Sequence, residues 1–167
     1  MLPQMALDLH KDNDPAPELK TVLWFNTERE IKIGDCRGKV IVLHTFQMLC
    51  PACVLHGLPQ TQRIFNLFPK AGVVVIGVHT VFEHHEAMTP SALKSFLYEF
   101  KYTFPVAVDA PDPSGSAVPL TMRDYQCRGT PTLILIDKKG FIRKHYFGVV
   151  DDMQIGAEIM LLMAEKA

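Results

Sequence analysis

The sequence predicts an α/β sandwich with a mixed central sheet. Apolar, β-branched runs alternate with helical patterns along most of the chain, and the last two strands form a hairpin that a helix follows. The 167 residues, of which 48% are hydrophobic and 21% charged, suit a single domain with a well-filled core. Residues 1–17 are polar, contain proline and lack hydrophobic periodicity. We therefore expect an extended lead-in over 1–17 and one domain over 18–167.

The first predicted element is a small N-terminal β-hairpin. Apolar and polar residues alternate over 19–33 around Asn26, which places one arm at 22–25 and the other at 31–33.

The central strand and its helix come next. Four consecutive apolar residues, Val40 to Leu43, predict a strand that is buried on both faces. Apolar residues at helical spacing then extend to about Phe68, interrupted by Pro59. Proline lacks a backbone N–H, so we expect a kink there.

The remaining elements follow the same alternation. A second buried strand is predicted at 73–79, and Thr89 or Ser91 can cap a helix that reaches about residue 102. The rest, in order, are a short strand at 104–108, an irregular loop at 109–119, one or two helical turns at 120–125, strands at 132–137 and 141–147, and an amphipathic helix at 151–165.

The chemistry centres on Cys50-Pro51-Ala52-Cys53, at the junction between the central strand and its helix. The first N–H groups of a helix have no partner within it and carry the positive end of its dipole, which stabilises a negative sulfur. We therefore expect Cys50 to be more acidic than a free thiol, whose pKa is about 8.5. Pro51 suits the first helical position, where its missing N–H would have been unpaired.

Cys53 lies one helical turn beyond Cys50, so it can close a short disulfide or resolve a mixed disulfide formed on Cys50. Two of the four ligands of a structural zinc site can have the same CxxC spacing. However, Cys36 and Cys127 are single and lie in core-like sequence, which favours redox chemistry. We expect no metal and no cofactor.

The net charge and the N-terminal sequence limit the classes of partner and the cellular location that we expect. The formal net charge is -1, and no basic stripe or run of like charges is present, which argues against nucleic acid as a partner. The start of the chain lacks the basic and apolar segments of a secretory signal, and no apolar run approaches the ~20 residues of a membrane span. We therefore expect a cytoplasmic location, where a CxxC pair is more often catalytic than structural.

These motifs together resemble thioredoxin-fold proteins. Besides the CPAC motif, Gly-Thr-Pro at 129–131 precedes a strand, and LIDKKG covers its end and the following turn. The chain is similar to the redoxin branch, which groups TlpA-like thiol oxidoreductases with AhpC/TSA peroxiredoxins, over nearly all of 16–164. The resemblance implies a three-layer α/β/α sandwich. It also implies that Pro131 is cis against the Cys50 sulfur and that Thr130 offers its backbone to an incoming peptide, beside a rim of Leu49, Pro51 and Ala52.

Three positions depart from the family pattern. His44 stands where thioredoxins carry a buried carboxylate, so an imidazole beneath Cys53 either accepts a proton, titrating nearer neutrality, or is a hydrogen-bonded core histidine. Leu49 replaces the usual tryptophan. Pro59 falls nine residues after Cys50 rather than the more common eight, and a helix bulge near Gly57 would absorb the extra residue.

The leading hypothesis is a thiol–disulfide oxidoreductase acting on protein or small-molecule disulfides, with a dithiol as electron donor. A peroxiredoxin-like antioxidant peroxidase is the first alternative. Peroxiredoxins place Pro and Thr seven and three residues before the peroxidatic cysteine, and here those positions are Leu43 and Gln47. The second alternative is a non-catalytic module for redox sensing or metal binding. Roles for Cys127 and for the ligand-rich loop from His79 to Glu86 stay open.

Overall fold

A seven-stranded mixed sheet runs through residues 14–167, the part of the chain that the computed structural model describes. Its strands are β1 (Asp14–Pro15), β2 (Thr21–Phe25), β3 (Val40–Phe46), β4 (Val73–His79), β5 (Val106–Asp109), β6 (Thr132–Ile136) and β7 (Phe141–Phe147). They are ordered β1-β7-β6-β3-β4-β5-β2 across the sheet. Strands β3, β4 and β5 are parallel, and the other neighbouring pairs are antiparallel.

Helices connect or follow these strands in the order that the sequence predicts. They are α1 (Leu58–Leu67), α2 (Pro90–Glu99), α3 (Leu120–Asp124) and α4 (Asp152–Ala164), with a 3-10 helix at Ile33–Cys36 and a π-helical turn at Cys53–Gly57. The predicted cap of α2 is confirmed, because the Thr89 hydroxyl accepts a hydrogen bond from the Ala92 N–H. Within residues 14–167, none of the helices combines the length and apolar character that a membrane span needs.

Strand β3 is the centre of the sheet, and all seven of its residues are buried, as predicted. Its side chains alternate between two apolar clusters because successive residues of a strand point to opposite faces. Val40 and Val42 pack with the buried residues of α1, α2 and α4. Ile41 and Leu43 pack on the other face, beneath the 3-10 helix and Tyr125, which follows α3. The thioredoxin-like three-layer sandwich is confirmed, with long helices on one face and short turns on the other.

The predicted N-terminal β-hairpin is wrong. The arm at 22–25 is a strand, but β2 pairs antiparallel with β5 at the edge of the sheet. Asn26 turns the chain away with a φ of 60°, and its side-chain amide donates to the carbonyls of Tyr102 and Phe104, both at 3.0 Å. The strand therefore finds its partner about 80 residues away in sequence instead of in the next segment.

The second predicted arm, at 31–33, is not a strand, and its last residue, Ile33, begins a 3-10 helix whose start is held by a carboxylate. The N–H groups of Ile33 and Gly34 donate to the carboxylate of Glu18, at 2.8 and 2.6 Å. These bonds occupy donors that a strand would have used for pairing. Residues 1–13 of the predicted lead-in lie outside the described residues. Its remaining residues, 14–17, include β1, which pairs with β7 at the opposite edge of the sheet from β2.

Candidate active site

The two cysteines of the CPAC motif lie side by side at the start of the helix that follows β3. Their Sγ atoms are 2.6 Å apart, and both cysteines are free thiols. A disulfide bond is about 2.05 Å long, so the pair needs only a small displacement to form one. The N–H of Cys53 also points at the Cys50 sulfur, at 3.3 Å. This orphan helix donor is the kind of group that stabilises negative charge on sulfur.

The two sulfurs differ in their surroundings. Cys50 is partly exposed, whereas Cys53 is fully buried. Burial raises the pKa of Cys53 to about 12, and the adjacent thiol of Cys50 adds to that increase. The structure therefore presents one accessible sulfur to solvent and keeps the other as a protonated thiol behind it.

A π-helical turn follows the cysteines, and the bulge expected near Gly57 is confirmed. Helical structure begins at Pro51, and the π turn covers Cys53–Gly57 before α1 continues. The Leu58 N–H donates to the Cys53 carbonyl, five residues back instead of four. This wider turn takes up the extra residue before Pro59, and π turns of this kind are frequent at functional sites.

The loop before β6 reaches the accessible sulfur. The Thr130–Pro131 peptide bond is cis, as the resemblance implied. The Thr130 carbonyl oxygen lies 3.4 Å from Cys50 Sγ and accepts its hydrogen bond. The structure thus brings residues 80 positions apart in sequence to the same site.

Apolar residues next to Cys50 in the sequence reach solvent. Leu49 has 57% of its surface exposed, Pro51 is exposed and Ala52 is half-buried, so the three predicted rim residues do reach solvent. Two further apolar residues that the sequence analysis missed, Phe147 and Val149, are also exposed, at 46% and 45%.

Phe147 and Val149 flank the residue that holds the cis-proline loop. The Gly148 N–H, between them, donates to the Pro131 carbonyl at 2.8 Å. The Phe147 ring lies so close to Gly129 that a Cβ atom there would be 2.9 Å from it. Gly129 and Gly148 were the residues in the sequence that could have indicated this close packing of Phe147 against the cis-proline loop.

His44 is a buried histidine whose hydrogen bond fixes its tautomer. Its Nδ1 lies 2.9 Å from the Thr61 hydroxyl, which also donates to the Gly57 carbonyl. A hydroxyl has one hydrogen to give, so Thr61 accepts from Nδ1–H and the proton-free nitrogen of His44 is Nε2. The sequence analysis missed Thr61, which is a buried residue of α1.

The position of His44 favours the core-histidine interpretation. Its ring lies beneath Gly57, and no hydrogen bond of the described residues joins it to Cys53. Burial lowers its pKa to about 4, below the near-neutral value that we expected from the sequence. A buried imidazole with this pKa is neutral at pH 7 and is a weak proton acceptor.

The other two cysteines lie on the far face of the sheet. Cys36 and Cys127 pack in the apolar cluster of Ile41 and Leu43, whereas Cys50 and Cys53 belong to the cluster on the helical face. The core-packing interpretation of both cysteines is confirmed. Across residues 14–167, no three His, Cys, Asp or Glu side chains come together in an arrangement suited to a metal ion.

The positions that peroxiredoxins use near their reactive cysteine have structural roles here. Leu43 is fully buried in the core. The Gln47 side chain accepts from the Phe82 N–H at 3.2 Å, which ties it to the loop after β4. Neither side chain is arranged to polarise a peroxide at Cys50.

Known proteins share this architecture. A thiol-disulfide isomerase from Corynebacterium glutamicum is 49% identical in sequence and superimposes with a TM-score of 0.87, over 91% of this chain and 97% of that chain. The thiol:disulfide interchange protein DsbE of Pseudomonas fluorescens biotype C is 29% identical over 139 residues, covering 83% of this chain and 67% of DsbE.

A longer relative matches as well. NHL repeat-containing protein 2 of Gallus gallus is 32% identical over 137 residues, which are 80% of this chain. The matched part is only 18% of the chicken protein. The sequence profile of the AhpC/TSA family matches residues 13–145. With this match over most of its length and a thioredoxin-like fold, the chain belongs to the AhpC/TSA family.

Proposed function

We propose that the protein is a thiol–disulfide oxidoreductase that works through Cys50 and Cys53. The observation that carries this proposal is the asymmetry of the pair, with Sγ atoms 2.6 Å apart and only Cys50 accessible. The names of the relatives from Corynebacterium and Pseudomonas support the same class of reaction.

In the proposed reaction, Cys50 attacks as a thiolate. Its sulfur bonds to one sulfur of a substrate disulfide, the substrate S–S bond breaks, and the other substrate sulfur leaves as a thiolate. The Cys53 thiol then gives its proton to the substrate thiolate released first, and its sulfur attacks Cys50 Sγ. The second substrate sulfur leaves as a thiolate, which takes up from solvent the proton that Cys50 had lost, and a Cys50–Cys53 disulfide remains. Two electrons have passed from the dithiol to the substrate. A dithiol donor restores the reduced protein by the reverse exchange.

The substrate surface is proposed to be the apolar rim of Leu49, Pro51 and Ala52 together with Thr130 and Pro131. An exposed apolar surface next to a reactive group favours a partner that also buries apolar area. This supports a protein disulfide as the preferred substrate over a small charged one. For His44, the contacts with Thr61 and Gly57 support a positioning role rather than proton transfer.

Reduction is the proposed net direction, because we expect a cytoplasmic location, where thiols are kept reduced. A Cys50–Cys53 potential near or below about -250 mV would fit that role, and a value above about -180 mV would instead indicate an oxidant or isomerase. The potential is measured by equilibration with dithiothreitol or glutathione buffers.

The activity is tested by dithiothreitol-driven reduction of insulin. The parent and a Cys36→Ala, Cys127→Ala variant should both accelerate the reaction, whereas Cys50→Ser or Cys53→Ser should abolish the acceleration. Equal acceleration without Cys50 would overturn the proposal. Partner binding without any turnover would favour the non-catalytic module, and turnover of hydroperoxide but not of insulin would favour the peroxidase.

A further inference from the structure

Arg128 places a positive charge on the loop that reaches the accessible sulfur. It stands two residues before Thr130, whose carbonyl oxygen lies 3.4 Å from Cys50 Sγ. Arg128 is exposed, and its guanidinium carbon lies over the Phe147 ring, 5.7 Å from the ring centroid. A guanidinium within about 6 Å of an aromatic centroid is attracted to the face of the ring. Arg128 is therefore held on Phe147, beside the cis-proline loop.

The Phe147 ring has a defined position next to that loop. It packs against Gly129, where a Cβ atom would be 2.9 Å from the ring. The residue after it, Gly148, donates its N–H to the Pro131 carbonyl at 2.8 Å. These two contacts join the end of β7 to the loop that carries the cation. The guanidinium of Arg128 therefore borders the surface that we propose for the substrate.

No carboxylate neutralises Arg128 within residues 14–167. The arginine ion pairs of this part of the chain are those of Arg63, Arg123 and Arg143. An exposed arginine without a carboxylate partner keeps its hydrogen-bond donors available to a partner molecule.

The acidic residues close to Arg128 and Phe147 in the sequence have other partners. Asp124 pairs with Lys20 at 2.6 Å. Asp151 accepts hydrogen bonds from two N–H groups in the first turn of α4, at 2.9 and 3.2 Å. Neither carboxylate competes with an incoming one for the guanidinium.

A negative charge lies on the other side of the CPAC motif. The carboxylate of Glu83, in the loop after β4, is 3.5 Å from Gln47 Nε2. Strands β4 and β6 flank β3 on opposite sides, so the loop after β4 and the loop before β6 carry opposite charges on the two sides of Cys50. A substrate carboxylate is attracted to the Arg128 side and repelled from the Glu83 side.

We propose that Arg128 is a specificity-determining residue that favours protein disulfides with an acidic side chain next to the reacting cysteine. The inference rests on the proposed function and narrows its substrate class. A guanidinium binds a carboxylate through two parallel N–H···O bonds at its edge, while its face stacks on an aromatic ring. Phe147 thus orients Arg128, and Arg128 contacts the substrate carboxylate.

The expected effect is modest, because the ion pair forms at an exposed site. Removal of the charge should lower the rate constant for an acidic substrate roughly two- to fivefold relative to a neutral one, which corresponds to about 0.4–1 kcal/mol. Charges at the rim of an interface act mainly on the association rate and its salt dependence. Salt at 1 M shortens the screening length to about 3 Å, so the preference should disappear there.

The test uses three peptide disulfides that differ only in the residues flanking the cysteine, which are glutamate, glutamine or lysine. The second-order rate constant for reduction of each peptide by the full-length dithiol protein is measured at pH 8 and low salt. We expect Arg128→Gln to shift the ratio of the glutamate to the glutamine peptide two- to fivefold downwards and the ratio of the lysine to the glutamine peptide upwards. Comparing two proteins on the same peptide cancels the intrinsic reactivity of that peptide.

Arg29→Gln is the matched control. Arg29 is exposed and lies in the turn after β2, near the start of β5 and so at the opposite end of the parallel strands from Cys50. It changes the net charge equally and should leave all three rate constants as they are. Arg128→Lys keeps the charge and should retain part of the preference for glutamate.

Two kinetic results would overturn the inference. An equal loss with all three peptides in Arg128→Gln would show that the residue acts on the reactivity of Cys50 and not on substrate choice. A shift of the same size in Arg29→Gln would show that only the net charge of the protein matters.

Binding without turnover separates this inference from the proposed redox activity. Peptides with serine in place of cysteine are titrated into ¹⁵N-labelled Cys50→Ser, Cys53→Ser protein, and the amide signals of Gly129 and Gly148 are followed by NMR. The glutamate peptide should bind two- to fivefold more tightly than the glutamine peptide, and Arg128→Gln should remove the difference. If the parent protein reduces no peptide, the proposed function fails, and equal binding of the two peptides here would refute the inference itself.

Discussion

The imidazole of His44 lies directly beneath Gly57, where a Cβ atom would come within 2.6 Å of its Nε2 and Cε1 atoms. Strand β3 and the π turn before α1 therefore approach each other at a point that has no room for a methyl group. The Pro131 side chain also lies close, 3.2 Å from the same Cβ position. Gly57 thus lets the helix that carries the cysteines pack against both the central strand and the cis-proline loop.

We predict that Gly57→Ala destabilises the protein. Overpacking of a filled core typically lowers the free energy of unfolding by about 1–3 kcal/mol, and the better helix propensity of alanine returns up to about 1 kcal/mol. A net loss of roughly 1–2 kcal/mol is expected from urea unfolding of the reduced protein.

Gly156→Ala is the matched control, because nothing lies within 4 Å of a Cβ atom at that position of α4. Only the helix propensity changes there, so the free energy of unfolding should rise by up to about 1 kcal/mol. Equal effects of the two substitutions would show that the contact between His44 and Gly57 does not limit packing.

The proposed division of labour predicts how the cysteines react with Ellman's reagent, an aromatic disulfide. In a Cys36→Ala, Cys127→Ala background, the dithiol protein should release two thiol equivalents, because Cys53 resolves the mixed disulfide formed on Cys50. The additional change Cys53→Ser should stop the reaction at a stable mixed disulfide with one equivalent released. Mass spectrometry identifies the adduct.

Cys50→Ser in the same background leaves only the buried sulfur. Because burial raises the pKa of Cys53 and shields its sulfur, the reaction should be much slower than that of Cys50 in the Cys53→Ser protein. A faster reaction at Cys53 would reverse the assigned roles.

The buried histidines predict a loss of stability in mild acid. Burial lowers the pKa values of both His44 and His79 to about 4, whereas an unfolded histidine titrates near 6.5. Between these values the unfolded chain binds protons that the folded protein does not, so the free energy of unfolding falls as the pH drops from about 6.5 to 4. The loss is of the order of 3 kcal/mol at most for each histidine.

Urea unfolding at pH 7 and pH 5 measures the combined effect, and NMR separates the two residues. The ring C–H signals of His44 and His79 should stay constant from pH 7.5 to pH 5. A titration midpoint near 6.5 for either ring would contradict its assignment as a neutral, buried imidazole.

The apolar surface beside the cis-proline loop predicts a substrate effect for Phe147. Phe147→Ala should raise the KM for insulin reduction several-fold and leave the rate with a small aromatic disulfide nearly unchanged, because only a protein substrate covers that surface. Tyr98→Ala is the control, since Tyr98 is an exposed aromatic residue of α2. Equal changes in the two variants would indicate that Phe147 has no specific part in substrate binding.

Local patterns were enough to predict most of the framework. The apolar runs of β3 and β4, the cap at Thr89 and the Cys-Pro-Ala-Cys turn each depend on neighbours within a few residues, and the structure has them where the sequence places them. The family's usual spacing between this cysteine and proline predicted the π turn, since the extra residue before Pro59 must widen one turn of the helix.

Only the tertiary structure decided which distant residues meet. The pairing of β2 with β5 replaced the predicted hairpin because Asn26 finds carbonyl partners more than 70 residues away. The same holds for the contact of His44 with Gly57. Burial and the pKa shifts that follow from it depend on what packs around a group, and a sequence pattern names the group without naming its surroundings.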